Sequence, residues 1–208
     1  SRDDAPLLYA ALHSGFEKLA RAQEALASEH GVSVNEYFIL DSPVQNAFVL
    51  PRKQSGVGLV HNMAFVTTGL IKQMINLEAG SFSDPTNANR VGEAVALGLK
   101  RLDGIIAHEL AHPLDSIDKA GLSTLWGAAS GQAEELRADA EATTLLRKAG
   151  LAPNSLYLGL SRLLELPRPK EDLFQAASSS HPTLDLRLSA QRLLLTLVEK
   201  GAQRKESY

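Results

Sequence analysis

The stretch Ile105-Ile106-Ala107-His108-Glu109-Leu110-Ala111-His112 holds the pattern H-E-x-x-H, two imidazoles either side of a carboxylate. On a helix, four residues turn a side chain through about 400°, so His108 and His112 leave one face a turn apart and can grip one zinc ion. Glu109 lies about 100° round from His108, beside the ion rather than on it, where its carboxylate can take a proton from a zinc-bound water. A catalytic zinc site keeps one position open and draws three ligands from the protein, so a third donor is required. Six histidines in 208 residues leave room for an accidental match. The third donor separates chemistry from coincidence.

Residues Ala133-Glu134-Glu135-Leu136-Arg137-Ala138-Asp139-Ala140-Glu141-Ala142 supply one. The segment is rich in helix formers and runs on through Leu145 and Leu146 towards Gly150, so it reads as a second helix after a connection containing Gly and Ser. Glu135 and Asp139 share a face four residues apart, and Ala138 between them is small enough to let two helices approach closely. Glu135 is the expected third ligand. Asp139, one turn on, is placed to accept the outer N–H of a liganding imidazole and so fix its tautomer. Glu134 competes with Glu135, but no acid follows it at four. Without the upstream H-E-x-x-H the same acids would read as a solvated helix face.

In that order, H-E-L-A-H and E-L-R-A-D resemble the gluzincin metallopeptidases of the HtpX-like, CAAX-prenyl-endopeptidase type. Asn46-Ala47-Phe48 with Leu50-Pro51, and then Phe65-Val66-Thr67-Thr68-Gly69-Leu70-Ile71, resemble the family's strand pair entering a helix ahead of the zinc helix. Ser180-His181-Pro182, with Arg187 further on, resembles its late His-Pro segment. The blocks keep the family's order across residues 46 to 187, which is more specific than any one of them. The resemblance implies that Asn46-Ala47-Phe48 belongs to an edge strand holding the substrate backbone as an added strand; the plainer reading is a core strand. It also places His181 near the metal, where its N–H could stabilise an oxyanion or its neutral ring could fill zinc's open position and keep the enzyme latent. Alternatively His181-Pro182 merely starts the last helix. Arg187 is expected to pair with Asp139 or Glu135, or else to lie at the surface.

Two positions depart from the family. Pro113 follows His112 directly, lacks the N–H that would bond the carbonyl of Glu109, and disfavours α geometry at His112, so the helix is expected to end or kink at the ligand. Ala111 stands where Gly is commoner, a mild change that helix propensity favours.

The rest of the chain must position these groups. With 44% hydrophobic residues, residues 1–208 read as a single metallopeptidase domain with a sizeable core. Residues 6 to 30 carry an amphipathic helix whose His13 and His30 receive no role. Tyr37 to Leu40, Val44 to Leu50 and Val57 to Thr68 read as strands of a small, mostly antiparallel sheet, with Arg52-Lys53 a solvated hairpin tip. Helices follow at Leu70 to Ala79, Val91 to His112, Asn154 to Leu166, and Leu184 to Lys200. Gly92, Gly98 and Gly104 recur on different faces of the second of these and weaken the expectation of an unbroken helix. Trp126, between the ligand helices, either walls the cleft or plugs the core under a loop. The fold class expected is α+β, mainly helical, a zincin-type domain with its H-E-x-x-H helix packed against the E-x-x-x-D helix.

A net charge of −3 with no basic cluster argues against nucleic acid as a partner. The absence of cysteine rules out disulfides and thiolate zinc sites and leaves histidine and carboxylate as ligands. No apolar run reaches the roughly 18 residues of a membrane helix. The numbering starts at Ser1 rather than Met, which leaves room upstream for a leader or anchor and hence for a periplasmic or membrane-associated location.

These features define an expected zinc-dependent endopeptidase with one Zn2+ per chain, bound by His108, His112 and Glu135, and with Glu109 as the base. Two other readings carry different tests. A catalytically impaired or latent zinc-binding relative would capture protein segments without cleaving them. A structural helical domain with an accidental H-E-x-x-H would hold no metal.

Overall fold

The computed structural model describes residues 6–27, 33–53, 60–80, 88–115, 127–164 and 184–206. Helix α1 (Pro6–Ala27) precedes strands β1 (Ser33–Leu40), β2 (Ala47–Lys53) and β3 (Val60–Thr67). Helices α2 (Thr68–Ala79), α3 (Ala88–Asp115), α4 (Gly127–Lys148), α5 (Ser155–Leu164) and α6 (Leu184–Glu206) follow. The fold is α+β and mainly helical, as the sequence pattern implies.

Leu12, Phe16, Leu19 and Ala22 recur every three or four residues, and all are buried, so α1 turns one apolar face to β1, α3 and α4. His13, which receives no role from the sequence, sits at the rim of that face, exposed, edge-on to Tyr37 at 5.9 Å and paired with Glu17 at 3.4 Å. His30 lies outside the described residues.

The sheet is mixed rather than mostly antiparallel: its order is β1-β3-β2, with β1 parallel and β2 antiparallel to β3. The reason lies in the link 41–46. It passes round the end of β3 instead of folding into a tight hairpin, so β2 starts at Ala47, not Val44, and takes the far side of β3. Two threonines hold the link. Thr67 Oγ1 accepts from Asn46 N at 3.0 Å while Thr67 N donates to Asn46 O at 3.0 Å, and Ser42 N donates to Thr68 Oγ1 at 3.1 Å. Thr67 is also the N-cap of α2, accepting from Leu70 N, so one residue ends β3, starts α2 and ties down the link. Alternation sends Ala64 and Val66 into the core and Tyr37, Ile39, Ala47 and Val49 against it. Phe38, Phe65 and Phe48 stack across the three strands on the other face, at 5.2 and 4.9 Å.

Helix α3 is the hub, packed by α1, α2, α4, α5 and β2. It is unbroken despite its glycines. A Cβ on Gly104 would collide with the backbone of Leu156, and one on Gly98 would stand 3.0 Å from Ile75, so these two positions let α5 and α2 cross α3 closely. The helix also runs three residues past His112 to Asp115. Of the end or kink expected at the ligand, the end is therefore absent: Pro113 removes one N–H near a helix end, where few bonds remain to be lost, and the backbone carries on through it. Helix α4 begins at Gly127, earlier than the sequence suggests, and ends where Gly150 adopts φ 68° with Leu151 N donating to Leu146 O at 2.8 Å. Helix α6 continues through Gly201 to Glu206.

Candidate metal centre

Between the two histidines, Leu110 and Ala111 are fully buried. Rolling α3 to carry the imidazoles elsewhere would expose Leu110 at a cost of roughly 1.5–3 kcal/mol. Gln23 of α1, itself buried, donates Nε2–H to the carbonyl of Leu110 at 2.6 Å and fastens the same turn. The side chains one step round from that face, His108 and His112, meet α4.

His108 Nε2 and His112 Nε2 lie 3.2 Å apart. Glu135 of α4 brings Oε2 to 3.2 Å from His108 Nε2 and Oε1 to 3.5 Å from His112 Nε2. A zinc ion with bonds of 2.0–2.1 Å in tetrahedral array separates its donor atoms by about 3.3–3.4 Å. The two imidazole nitrogens stand at that spacing, and Glu135 reaches each of them with a different carboxylate oxygen, so one donor atom from each residue lies within 4.8 Å of the others. His108, His112 and Glu135 form a group that can hold a metal ion, and Glu135 rather than Glu134 completes it.

Asp139, one turn beyond Glu135 and 1% exposed, has Oδ1 2.8 Å from His108 Nδ1. That contact assigns the Nδ1 proton to the Asp139 bond and leaves Nε2 facing the ligand group. Arg187 of α6 grips Asp139 with both arms of its guanidinium, Nη2 to Oδ1 at 2.6 Å and Nε to Oδ2 at 2.9 Å, and sets Nη1 3.4 Å from Glu135 Oε2. Of the two carboxylates proposed for it, Arg187 meets both. Its Nη2 also lies 3.2 Å from His108 Nδ1; since a guanidinium cannot accept and the ring proton already points at Asp139, this is a close approach of like donors rather than a bond.

The charges follow from the geometry. Burial pulls the His108 pKa down, but hydrogen bonds to Asp139 and Glu135 outweigh it and hold the ring up at about 9. Burial, with the charge of His108 beside it, pushes His112 down to about 4. The two Nε2 atoms face one another, so one proton serves both rings, and without metal it sits on His108. Burial raises Glu135, yet the His108 hydrogen bond and charge prevail and lower it to about 2. Asp139 is likewise lowered: burial resists, and the Arg187 and His108 hydrogen bonds overcome it. Glu109, half-buried and outside the ligand group, is pushed up to about 7 by burial, with His108 pulling back and Glu135 pushing further. Two carboxylates against one guanidinium leave the group net negative once the histidine proton departs, which suits a divalent cation.

Of the other residues singled out by sequence, Ala47 and Phe48 lie on β2, the edge strand that packs along α3, and Asn46 lies just before it with its main chain tied to Thr67. Ala47 packs against the core and Phe48 stacks on Phe65. His181 and Trp126 lie outside the described residues. The sequence reading missed Gln191 and Thr143. Gln191 is 1% exposed, donates Nε2–H to the carbonyl of Asp139 at 2.7 Å, and has Oε1 3.2 Å from Thr143 Oγ1. Its position four residues after Arg187, on the same face of one helix, was the available signal.

Comparison with protein-family models, curated proteins and solved structures gives no match to this chain. Among the described residues no helix is long and apolar enough to cross a membrane.

Proposed function

We propose that this protein is a zinc-dependent endopeptidase of the gluzincin type. The observation that carries the reading is the donor triangle: His108 Nε2 and His112 Nε2 3.2 Å apart, with Glu135 Oε2 3.2 Å from the first and its Oε1 3.5 Å from the second. Two imidazoles and a carboxylate suit zinc, and three protein donors leave a fourth position for water, the mark of a catalytic rather than a closed site. Bound zinc supplies a Lewis acid that polarises a peptide carbonyl and lowers the pKa of water towards about 7.

This chain's own residues do the rest. Glu109, next to the ligand group but not of it, takes a proton from the attacking water and returns it to the leaving amine. Asp139 keeps His108 in the tautomer that presents Nε2, and Arg187 keeps Asp139 ionised and in place. Among the described residues β2 is the outer strand of the sheet and lies beside α3, which supports binding of the substrate backbone as an added strand from Ala47 onward. His181 is proposed to donate to the oxyanion.

The test is Glu109→Gln against wild type, with an unfolded protein as substrate and zinc content measured in parallel. Wild type is expected to make fragments, and the Gln variant to keep its zinc while losing cleavage by a factor of roughly 10²–10⁴. Unchanged cleavage by the variant would remove Glu109 as the base. A wild type that binds zinc and forms complexes but no fragments would replace the peptidase with a binding protein.

A further inference from the structure

We infer that α6 is a positioning helix for the metal ligands, acting on Asp139 at two points one turn apart: Arg187 on its carboxylate and Gln191 on its carbonyl. The inference rests on the metal site proposed above and adds what sets its strength.

Arg187 fixes the Asp139 side chain through two bonds, and Gln191 fixes its main chain through one, so both ends of the residue that orients His108 are held from α6. The Gln191 contact is sealed from water: Gln191 is 1% and Thr143 2% exposed. Its amide is also oriented. Nε2–H already fills a lone pair of the Asp139 carbonyl, so the single Thr143 hydroxyl proton, within 3.2 Å of both Asp139 O and Gln191 Oε1, is best placed on Oε1. The carbonyl, which only accepts, fixes which end of the amide faces it, and the Thr143 hydroxyl gives the other end, Oε1, its buried partner.

The outer face of α6 carries no such constraint, with Leu193 and Leu197 62% and 59% exposed. The helix is thus held on α4 by a buried polar contact as well as by packing such as that of Leu188 against the core. A buried amide left without its partners is costly. Loss of either contact on Asp139 loosens that residue, then the His108 ring, and then the donor triangle. By reciprocity, zinc that pulls the triangle together tightens the hold of Asp139 on α6. Gln191 is a positioning residue on this reading, since it touches no reacting atom.

The experiment measures the zinc Kd by chelator competition and the Co2+ absorption spectrum of wild type, Gln191→Leu, Thr143→Val and Leu188→Ala. Gln191→Leu keeps the volume and removes the amide; it is expected to weaken zinc about tenfold and to shift the cobalt bands. Thr143→Val leaves the buried Gln191 Oε1 without its donor, weakens the brace on the amide, and should move both readouts the same way by less. If Gln191→Leu does not fold, Thr143→Val decides, and wild-type Kd and cobalt bands in it would overturn the inference. Leu188→Ala, which loosens α6 by packing alone, should lower Tm and leave the Kd of the folded protein within about twofold; an equal loss there would mean docking of α6 in general matters and Gln191 does not position. Wild-type Kd in Gln191→Leu overturns this inference alone, whereas a wild type that takes up no zinc overturns the metal site beneath it.

Discussion

Helix α3 contributes to two buried ionic clusters of opposite design. Near its middle, Arg101 meets Glu78 of α2, Nε to Oε1 at 2.6 Å and Nη2 to Oε2 at 2.8 Å, and Arg162 of α5 adds Nε to Oε1 at 3.0 Å. Two turns later His108 and His112 meet Glu135, Asp139 and Arg187. In the first cluster one carboxylate, 2% exposed, answers two guanidiniums, and Arg101 Nη1 goes on to the Leu158 carbonyl at 3.1 Å. Among the described residues its guanidiniums outnumber its carboxylate, and it fixes the crossing of three helices. In the second the balance is reversed. Two carboxylates answer one guanidinium, and imidazoles, which can give up a proton, fill the remaining places. A group that can lose a proton without unfolding can exchange it for a metal ion.

The largest effect that would test this contrast is on stability. Glu78→Ala leaves Arg101 and Arg162 buried with their shared anion gone, and is expected to destabilise the fold by about 3–5 kcal/mol in urea unfolding. The folded fraction should still bind zinc with wild-type affinity, because no metal ligand belongs to that cluster. Loss of zinc from folded Glu78→Ala would show that the two clusters are not independent.

A smaller effect is expected from the metal itself. Zinc at 100 times its Kd should stabilise the wild type by about 2.7 kcal/mol, measured as the shift in unfolding free energy on titration. His108→Ala, missing a ligand, should gain little. If the two respond alike, the ion binds elsewhere and the donor triangle is not its site.

The two clusters were also unequally legible in the sequence. H-E-x-x-H and E-x-x-x-D could be read because helix geometry alone puts His108 with His112 and Glu135 with Asp139; only the meeting of two helices had to be supplied. Glu78, Arg101 and Arg162 stand 23 and 84 residues apart from partner to partner, with no short-range spacing to join them, so nothing local marks them as one cluster. Gln191 was hidden for the same reason, although Arg187 four residues earlier pointed to its face. The errors in the fold have a common origin as well. A mostly antiparallel sheet was expected because short links usually join neighbouring strands, whereas the Thr67 and Thr68 bonds that lead the link 41–46 around β3 are tertiary. An end or kink at Pro113 was expected, and the end does not occur because the local rules behind it weaken where few helix bonds remain.

Asp103 offers the smallest effect and isolates what burial alone does to a carboxylate in this core. It lies on α3 over Gly15 of α1, where a Cβ would stand 2.5 Å from its Oδ1, and burial raises its pKa to about 6, with Lys18 pulling back. The folded pKa is above the unfolded value of 3.8, so between about 4 and 6 the native state binds more protons than the unfolded one. Stability from this group is therefore present at low pH and lost as pH rises through about 6, the reverse of a carboxylate held by guanidiniums such as Asp139. Asp103→Asn removes the titration. It should be more stable than wild type at pH 7.5 by about 1 kcal/mol after allowance for the solvent that reaches the group, or about 2–4 °C in Tm, with zinc held constant. The advantage should shrink towards pH 4.5. An advantage that stays constant across this range would mean that Asp103 is ionised in both states and that burial without a guanidinium partner costs this fold little, which would weaken the contrast drawn from Glu78.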